Sequence, residues 1–455
     1  MSDKRNISKI IYDFTQNIFA VLFSKNLEFS VIRLLFLKYV VDNYVGANSV
    51  ENMQCCARAQ KMFAIKDIEN GVDIITPVLQ YIDSFYGLQG IISGKENIEE
   101  YSCELFGENI NRQRKNVVSS DFKKVIDALG SIDLEEKNGS NELGKELVEA
   151  LIENVISNSY KNAFSGENST RQSLSMLAGR ILDVKSDDCF CDFASGIGLS
   201  TIEITKSTMP HIVNSEISNT AVAISAMLYI MYGYKDFSLY SGDSLTQINQ
   251  QICGNKLFID GPIAAKLERT EDNEYSDSSL AIISRTFHDY LSDDENALAV
   301  ITLPPSPLFA SYKQAVTLRQ KLVENGAVKA VVALPPMWRG TSVGTNLLIL
   351  SRKPEKQIVF INAAETFGSI RDKTDPAGEK LLPQEIIESI VKEIENPKTV
   401  SGFCRVATSE EVQDKEYNLI PASYVEVRVE EDHTTLEEID NELKELYRQL
   451  AMLSP

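Results

Sequence analysis

From residue 187 onward the chain alternates short β-type runs with helix-length segments, and that alternation limits the possible folds more than any other feature. The runs are CFCD (189–192), HIVN (211–214), FSLY (237–240), KLFID (256–260), ALAVITL (297–303), VKAVVAL (328–334) and NLLILS (346–351). Strands separated by helical segments imply an α/β unit with a parallel, doubly wound sheet. Such a sheet binds its ligand at the carboxyl ends of its strands, so residues just after each run are the candidates for chemistry.

The rest of the chain reads differently. Ile7, Ile10, Ile11, Phe14 and Ile18 recur at helical spacing. The stretch 27–45, LEFSVIRLLFLKYVVDNYV, is too thickly apolar for a surface helix and predicts a buried one. A polar segment of linker character (132–144) precedes another helical pattern at 146–160. Near the end, Thr435 with Glu438 forms a capping box. Leu436, Ile439, Leu443, Leu446 and Leu450 then follow in steps of three and four, a seam about two heptads long. It packs either on its own domain or on a partner helix. Three parts are expected: a helical N-terminal domain (1–165), the α/β domain (166–425) and a C-terminal helical tail (426–455).

Several classes of function are disfavoured. The 455 residues carry a formal net charge of −20, so the average surface repels a phosphate backbone. A chain acting on DNA would need a local basic groove or a partner that does the gripping. Seven cysteines, an odd number without zinc-type spacing, and three histidines make a metal site or a Ser-His-Asp arrangement improbable. Cys189 and Cys191 lie in an apolar run and read as buried thiols. No G-x-x-x-x-G-K-[ST] occurs, and no uncharged apolar run reaches the ~18 residues of a membrane span. The opening MSDKRNISK lacks a signal-type apolar stretch, which makes the cytoplasm the expected compartment.

The strand ends carry a connected set of polar residues. The first run leads into Asp192-Phe193-Ala194-Ser195-Gly196-Ile197-Gly198. Glycines at such a strand-to-helix turn let backbone approach a ligand closely. A dinucleotide site would usually want a third glycine where this chain has Thr201. The second run leads to Glu216, placed to accept hydrogen bonds from ribose hydroxyls, and the third to Asp243 in Ser241-Gly242-Asp243, within reach of an adenine amino group. The fourth ends in Asp260-Gly261-Pro262-Ile263. Any one acid could simply cap a turn; acids after successive strands, with the glycine turn, form a more specific pattern.

This set resembles the gamma-class adenine-N6 DNA methyltransferases, whose order is D-P-x-x-G-x-G, an acid, G-D, then N-P-P-F or N-P-P-Y. LLFLKYVVD (34–42), LPPSPLF (303–309), LRQKLVENGAVKAVVALPPMW (318–338), GTSVGTNLLILSRK (340–353) and GFCRVATSEEVQDKEYNLIPASYV (402–425) are similar to successive parts of the modification (M) subunit of type I restriction-modification systems. The resemblance implies a Rossmann-like, S-adenosylmethionine-dependent methyltransferase domain. Asp192, Ala194, Gly196 and Gly198 would line the cofactor's methionine and ribose side, Glu216 would take the ribose hydroxyls, and Asp243 would contact its adenine. Thr170 stands where the family has a Thr-Pro ahead of a helix that helps cover the cofactor. Asp260, Gly261, Pro262 and Ile263 would be the catalytic tetrapeptide. DNA, a separate specificity subunit and a second methyltransferase subunit are the implied partners.

The tetrapeptide departs from the family pattern. Methylating an exocyclic amine requires two acceptors on its NH2, a side-chain oxygen and a backbone carbonyl, with a ring stacked on the flipped base. Asp260 and the Gly261 carbonyl keep the acceptors, but Ile263 has no ring, and stacking is worth roughly 1–3 kcal/mol. Phe193 and Arg171 stand where the family usually has proline, and Trp338 lies beside a turn where the family has an aromatic, with either a channel or a packing role. Three readings follow: a DNA adenine-N6 methyltransferase, a chain that keeps the fold as scaffold or sensor in a DNA-modification or defence complex, or the same fold methylating another substrate such as RNA or protein.

Overall fold

The structure is a computed structural model. It describes residues 28–44, 71–95, 172–262, 265–337, 342–366 and 382–426, together with 9, 12, 125, 127–130, 132, 134, 146, 148–152 and 170. Most of the helical pattern at 7–18, Arg171, Ile263, Trp338 and the C-terminal seam at 435–450 lie outside the described residues.

Among the described residues, nine strands form one sheet: β1 (Cys189–Asp192), β2 (His211–Glu216), β3 (Phe237–Ser241), β4 (Lys256–Ile259), β5 (Leu298–Leu303), β6 (Val328–Leu334), β7 (Thr345–Ser351), β8 (Gln357–Asn362) and β9 (Cys404–Thr408). Their spatial order is β3-β2-β1-β4-β5-β7-β6-β8-β9. The block from β3 to β5 is parallel throughout. Beyond it the expectation of a parallel sheet needs correction, because β7 runs antiparallel to both β5 and β6. The reason is the connection: only residues 335–344 join β6 to β7. A parallel crossover needs a dozen or more residues, and a return of this length leaves only the reversed direction. β8 and β9, unmarked in the sequence reading, extend the sheet, β8 parallel to β6 and β9 antiparallel to β8.

Helices cover both faces, and the described ones used below are α1 (Glu28–Tyr44), α2 (Gly71–Tyr86), α3 (Gln172–Leu182), α4 (Leu199–Thr205), α5 (Asn219–Met231), α6 (Ser278–Arg285), α7 (Lys313–Glu324) and α8 (Gln384–Glu395). Adjacent residues of each strand feed different cores. Phe190, Ile212, Phe258, Val300 and Leu347 face a cluster shared with α1, α2, α3, α5 and α8. Cys191, Val213, Leu257, Ile301 and Leu348 face a second cluster with α6 and α7. Burial on both faces explains why these strands read as continuous apolar runs. The expected buried helix is α1, in which residues 31–40 are buried without exception. It packs on α5, itself buried from Ala221 to Met231. Lys38, though inside this packing, pairs with Asp42 one turn on, and Asp42 also accepts the Leu134 amide at 2.9 Å. Cys191 is buried as expected, whereas Cys189 is only half-buried; both are free thiols.

Chain order reverses between β1 and β4, since β1 leads to β2 on one side and β4 to β5 on the other. A crevice opens at such a switch point, at the strands' carboxyl ends. Asp192 and Asp260 stand on its two sides.

A candidate active site at the carboxyl ends of the first four strands

The turn after β1 is pinned from within and from β2. Asp192 is buried, and its carboxylate accepts the Ala194 amide at 2.9 Å. The Ser195 amide donates to the Ser215 carbonyl at 3.1 Å, and the Gly196 amide donates to Glu216 Oε2 at 2.9 Å. Gly196 (φ 53°) and Gly198 (φ 81°) are left-handed, a conformation that favours glycine. Their surroundings differ. A Cβ on Gly196 would meet nothing within 4 Å, so that side of the turn is open. A Cβ on Gly198 would come within 2.8 Å of the Tyr229 ring. Tyr229 cannot easily yield, because its hydroxyl accepts from Asn214 Nδ2 at 2.7 Å, and the same amide group donates to Thr201 at 2.8 Å. Asn214 Oδ1 takes the Asp192 amide, which ties β1, β2, α4 and α5 into one buried network.

Glu216 ends β2 half-buried, with Oε1 accepting the Ser218 amide at 3.0 Å. Two amides use two of about four acceptor positions on a carboxylate, so it keeps capacity for a ligand. Ile217, directly after it, is 67% exposed, an apolar surface beside an acid that sequence reasoning did not single out. Asp243 is folded back on its own turn: Oδ1 accepts the Leu245 and Thr246 amides at 3.0 and 3.3 Å, and Oδ2 accepts the Thr246 hydroxyl at 2.6 Å. Its described bonds are those of a cap.

Asp260 follows β4 and accepts a hydroxyl on each oxygen. Thr170 donates to Oδ2 at 2.6 Å, and Thr302, on the adjacent β5, donates to Oδ1. Gly261 is pressed between α6 and the glycine turn, since a Cβ there would lie 2.6 Å from Ile282 Cδ1 and 3.7 Å from the Ala194 Cβ. The Pro262 carbonyl accepts the Ser278 hydroxyl at 2.7 Å, at the start of a helix that Asp277 caps. Phe193, the departure from proline, is buried with its ring centroid 4.8 Å from that of Tyr290.

Thr170, Asp192, Ala194, Gly196, Gly198, Glu216, Asp260 and Gly261 therefore surround one crevice, while Asp243 is turned into its own loop. The acids are electrostatically coupled. Burial pushes the Asp192 carboxyl well above the usual carboxylate range, the Ala194 amide opposes that rise, and Glu216 and Asp260 add to it. Thr302 was missed by sequence reasoning, because nothing in ALAVITL marks its threonine as reaching across to β4. A cavity of about 830 Å³ opens elsewhere, among Glu324, Lys329, Glu355, Lys356 and Glu410, and is lined by none of these residues.

Comparison with known proteins gives the same direction. A type I restriction enzyme methylase subunit (MjaVIII) of Methanocaldococcus jannaschii is 26% identical over 319 residues, covering 62% of this chain and 54% of the relative. Another from the same organism (MjaVII) is 31% identical over 153 residues, covering 32% and 26%. The matched part of this chain thus spans about half the length of the first relative and about a quarter of the second. Among solved structures, the type I restriction-modification methyltransferase subunit from Streptococcus thermophilus superposes with a TM-score of 0.67 at 17% identity, covering 93% of this chain and 99% of that one. A chain solved in work on complex assembly and conformational transition of the type I R-M system gives 0.64 at 16% identity, covering 100% and 96%. At such identities these likenesses concern the fold. The family described as N-6 DNA Methylase matches residues 140–433, which include every described strand and the residues named around the crevice. The chain belongs to the N-6 DNA methylase family.

Proposed function

We propose that this chain is the modification subunit of a type I-like restriction-modification system and transfers a methyl group from S-adenosylmethionine to N6 of adenine in DNA. The observation that carries the reading is the gathering of Asp192, Glu216 and Asp260, from the ends of three adjacent strands, around the glycine turn of a family member.

The residues present fit the cofactor. The open side of Gly196 gives room for a ligand against the backbone, Glu216 retains acceptor positions for ribose hydroxyls, and Ile217 offers an apolar surface for a base. Three coupled acids, one of them buried, complement a ligand with positive charge. S-adenosylmethionine carries a sulfonium and an ammonium, and it supplies the electrophilic methyl group. Asp192, Ala194, Gly196 and Gly198 would form the methionine and ribose side of the site, and Asp243 would contact the cofactor's adenine only through acceptor capacity its cap leaves.

Asp260 and the Gly261 carbonyl hold the target amine. An amine whose two hydrogens are both given to acceptors presents its lone pair out of the base plane, toward the methyl donor. The N–C bond would form as the donor's methyl–sulfur bond breaks, and positive charge would grow on nitrogen until one amine proton is lost; a fixed carboxylate beside it would stabilise that charge more than the neutral ground state. The adenine must leave the helical stack to reach the crevice. With a net charge of −20, this chain relies on a specificity subunit, and on a second methyltransferase subunit, for much of its grip on DNA.

Calorimetric titration with S-adenosylmethionine tests the site. The wild-type chain is expected to bind, and Glu216→Ala to lose at least about tenfold in affinity, the equivalent of about 1.4 kcal/mol. Binding by the variant at wild-type affinity would remove Glu216 from the site and the reading with it.

A further inference from the structure

Asp260 occupies a position where the family pattern has asparagine, and the groups around it match the acid. An asparagine side chain offers one acceptor oxygen and one NH2 donor, whereas an ionised aspartate offers two acceptors and no donor. Both Asp260 oxygens meet hydroxyl donors: Thr170 on Oδ2 at 2.6 Å, and Thr302 on Oδ1. The donors come from separate parts of the chain, 90 residues before and 42 after. Thr302 is 4% exposed, within the sheet. Its hydroxyl also has the Ile259 carbonyl within 3.3 Å as an alternative acceptor.

We propose that Thr170 and Thr302 are positioning residues that hold Asp260 as an oriented, ionised carboxylate, making the aspartate the working residue of this pocket. The proposal rests on the reading of Asp260 as the acceptor of the target amine. Two consequences follow. With a hydroxyl on each oxygen, rotation of the carboxylate is opposed and its plane is held at the crevice. Hydroxyl bonds to the charged form also favour ionisation. They offset the neighbouring Asp192, whose carboxylate is coupled to Asp260 and disfavours a second negative charge. Thr302 ties Asp260 to β5, and Thr170 ties it to the segment leading into α3, so the acid is aligned only when both elements are in place.

The test is a pH titration of the Asp260 carboxyl carbon by NMR, in protein labelled at aspartate and assigned through loss of the signal in Asp260→Asn. Thr302→Val and Thr170→Val should each raise the protonation midpoint by about one unit, as expected when a hydrogen bond to a charged group is removed. Thr302→Ser should return it to the wild-type value. Turnover should fall by about tenfold in Thr302→Val with KM for S-adenosylmethionine unchanged, and recover in Thr302→Ser. Thermal melting separates a folding defect; should Thr302→Val not fold, Thr170→Val, which replaces a partly exposed residue, carries the same test. Midpoints unmoved in both valine variants would overturn the proposal, as would moved midpoints with undiminished turnover. A wild-type protein that transfers no methyl group would defeat the functional reading, while the titration would still decide whether the threonines hold the acid ionised.

Discussion

Asp192 shows how the site works against the stability of the empty protein. Its folded-state pKa is raised, mainly by burial, so between its unfolded value near 4 and its folded value the native state binds more protons than the unfolded state. Stability from this group is complete below the unfolded value and is lost as pH rises through the folded one. Asp192→Asn keeps an oxygen for the Ala194 amide and removes the titration. We therefore expect the ligand-free variant to melt higher than wild type at pH 8, by a margin that shrinks toward pH 5. Melting curves across that range check it; a margin that is constant, or that grows as pH falls, contradicts the assignment. The same substitution should weaken S-adenosylmethionine binding, because it removes a negative charge facing a cationic ligand.

Among the elements, Arg319 links parts distant in sequence. Buried on α7, it donates Nε to the Tyr417 carbonyl at 2.7 Å, Nη1 to Pro307 at 3.0 Å and Nη2 to Ala310 at 2.9 Å. Leu419 returns an amide to the Leu308 carbonyl, and Tyr424 stacks on Phe360 with centroids 3.8 Å apart. Thus 417–425 is clamped to the short helix Ser306–Phe309 that follows β5, the strand that carries Thr302. Arg319→Leu should lower stability by roughly 2–4 kcal/mol, since three carbonyls lose a charged donor. Arg319→Lys should recover little of that, lacking the planar fork. Urea midpoints and proteolysis near 417–425 report the change; a midpoint equal to wild type would show the clamp to be idle.

The same scale shows what could be read in advance. The seven apolar runs match observed strands within two residues at each end, because strands buried on both faces announce themselves by composition alone. Direction is not local: the reversal of β7 follows from the length of its connection, and the pairing of β8 and β9 follows from a sheet edge that only the assembled fold provides. At the site, acids after strands were legible through spacing. Thr302 was not, because its role arises from the β4–β5 pairing that sets it beside Asp260. Asp243 carried a local signal, a threonine three residues on, and its described bonds follow that signal.

For the molecule as a whole, division of labour follows from charge. Methyl transfer from a cationic donor needs a crevice complementary to a cation, which three clustered acids would supply, whereas holding DNA needs the opposite sign. On the proposed reading, a chain with a formal charge of −20 that keeps the acids for the first task would leave much of the second to partners. On the reading proposed above, the crevice between β1 and β4 methylates adenine in DNA. The most direct test of that reading is incubation of the protein, with whatever partner co-purifies, with tritium-labelled S-adenosylmethionine and unmethylated genomic DNA, followed by nucleoside analysis. Label is expected in N6-methyl-2′-deoxyadenosine and is expected to disappear in Asp260→Ala. Cofactor binding without incorporation, or incorporation that Asp260→Ala leaves intact, would contradict it.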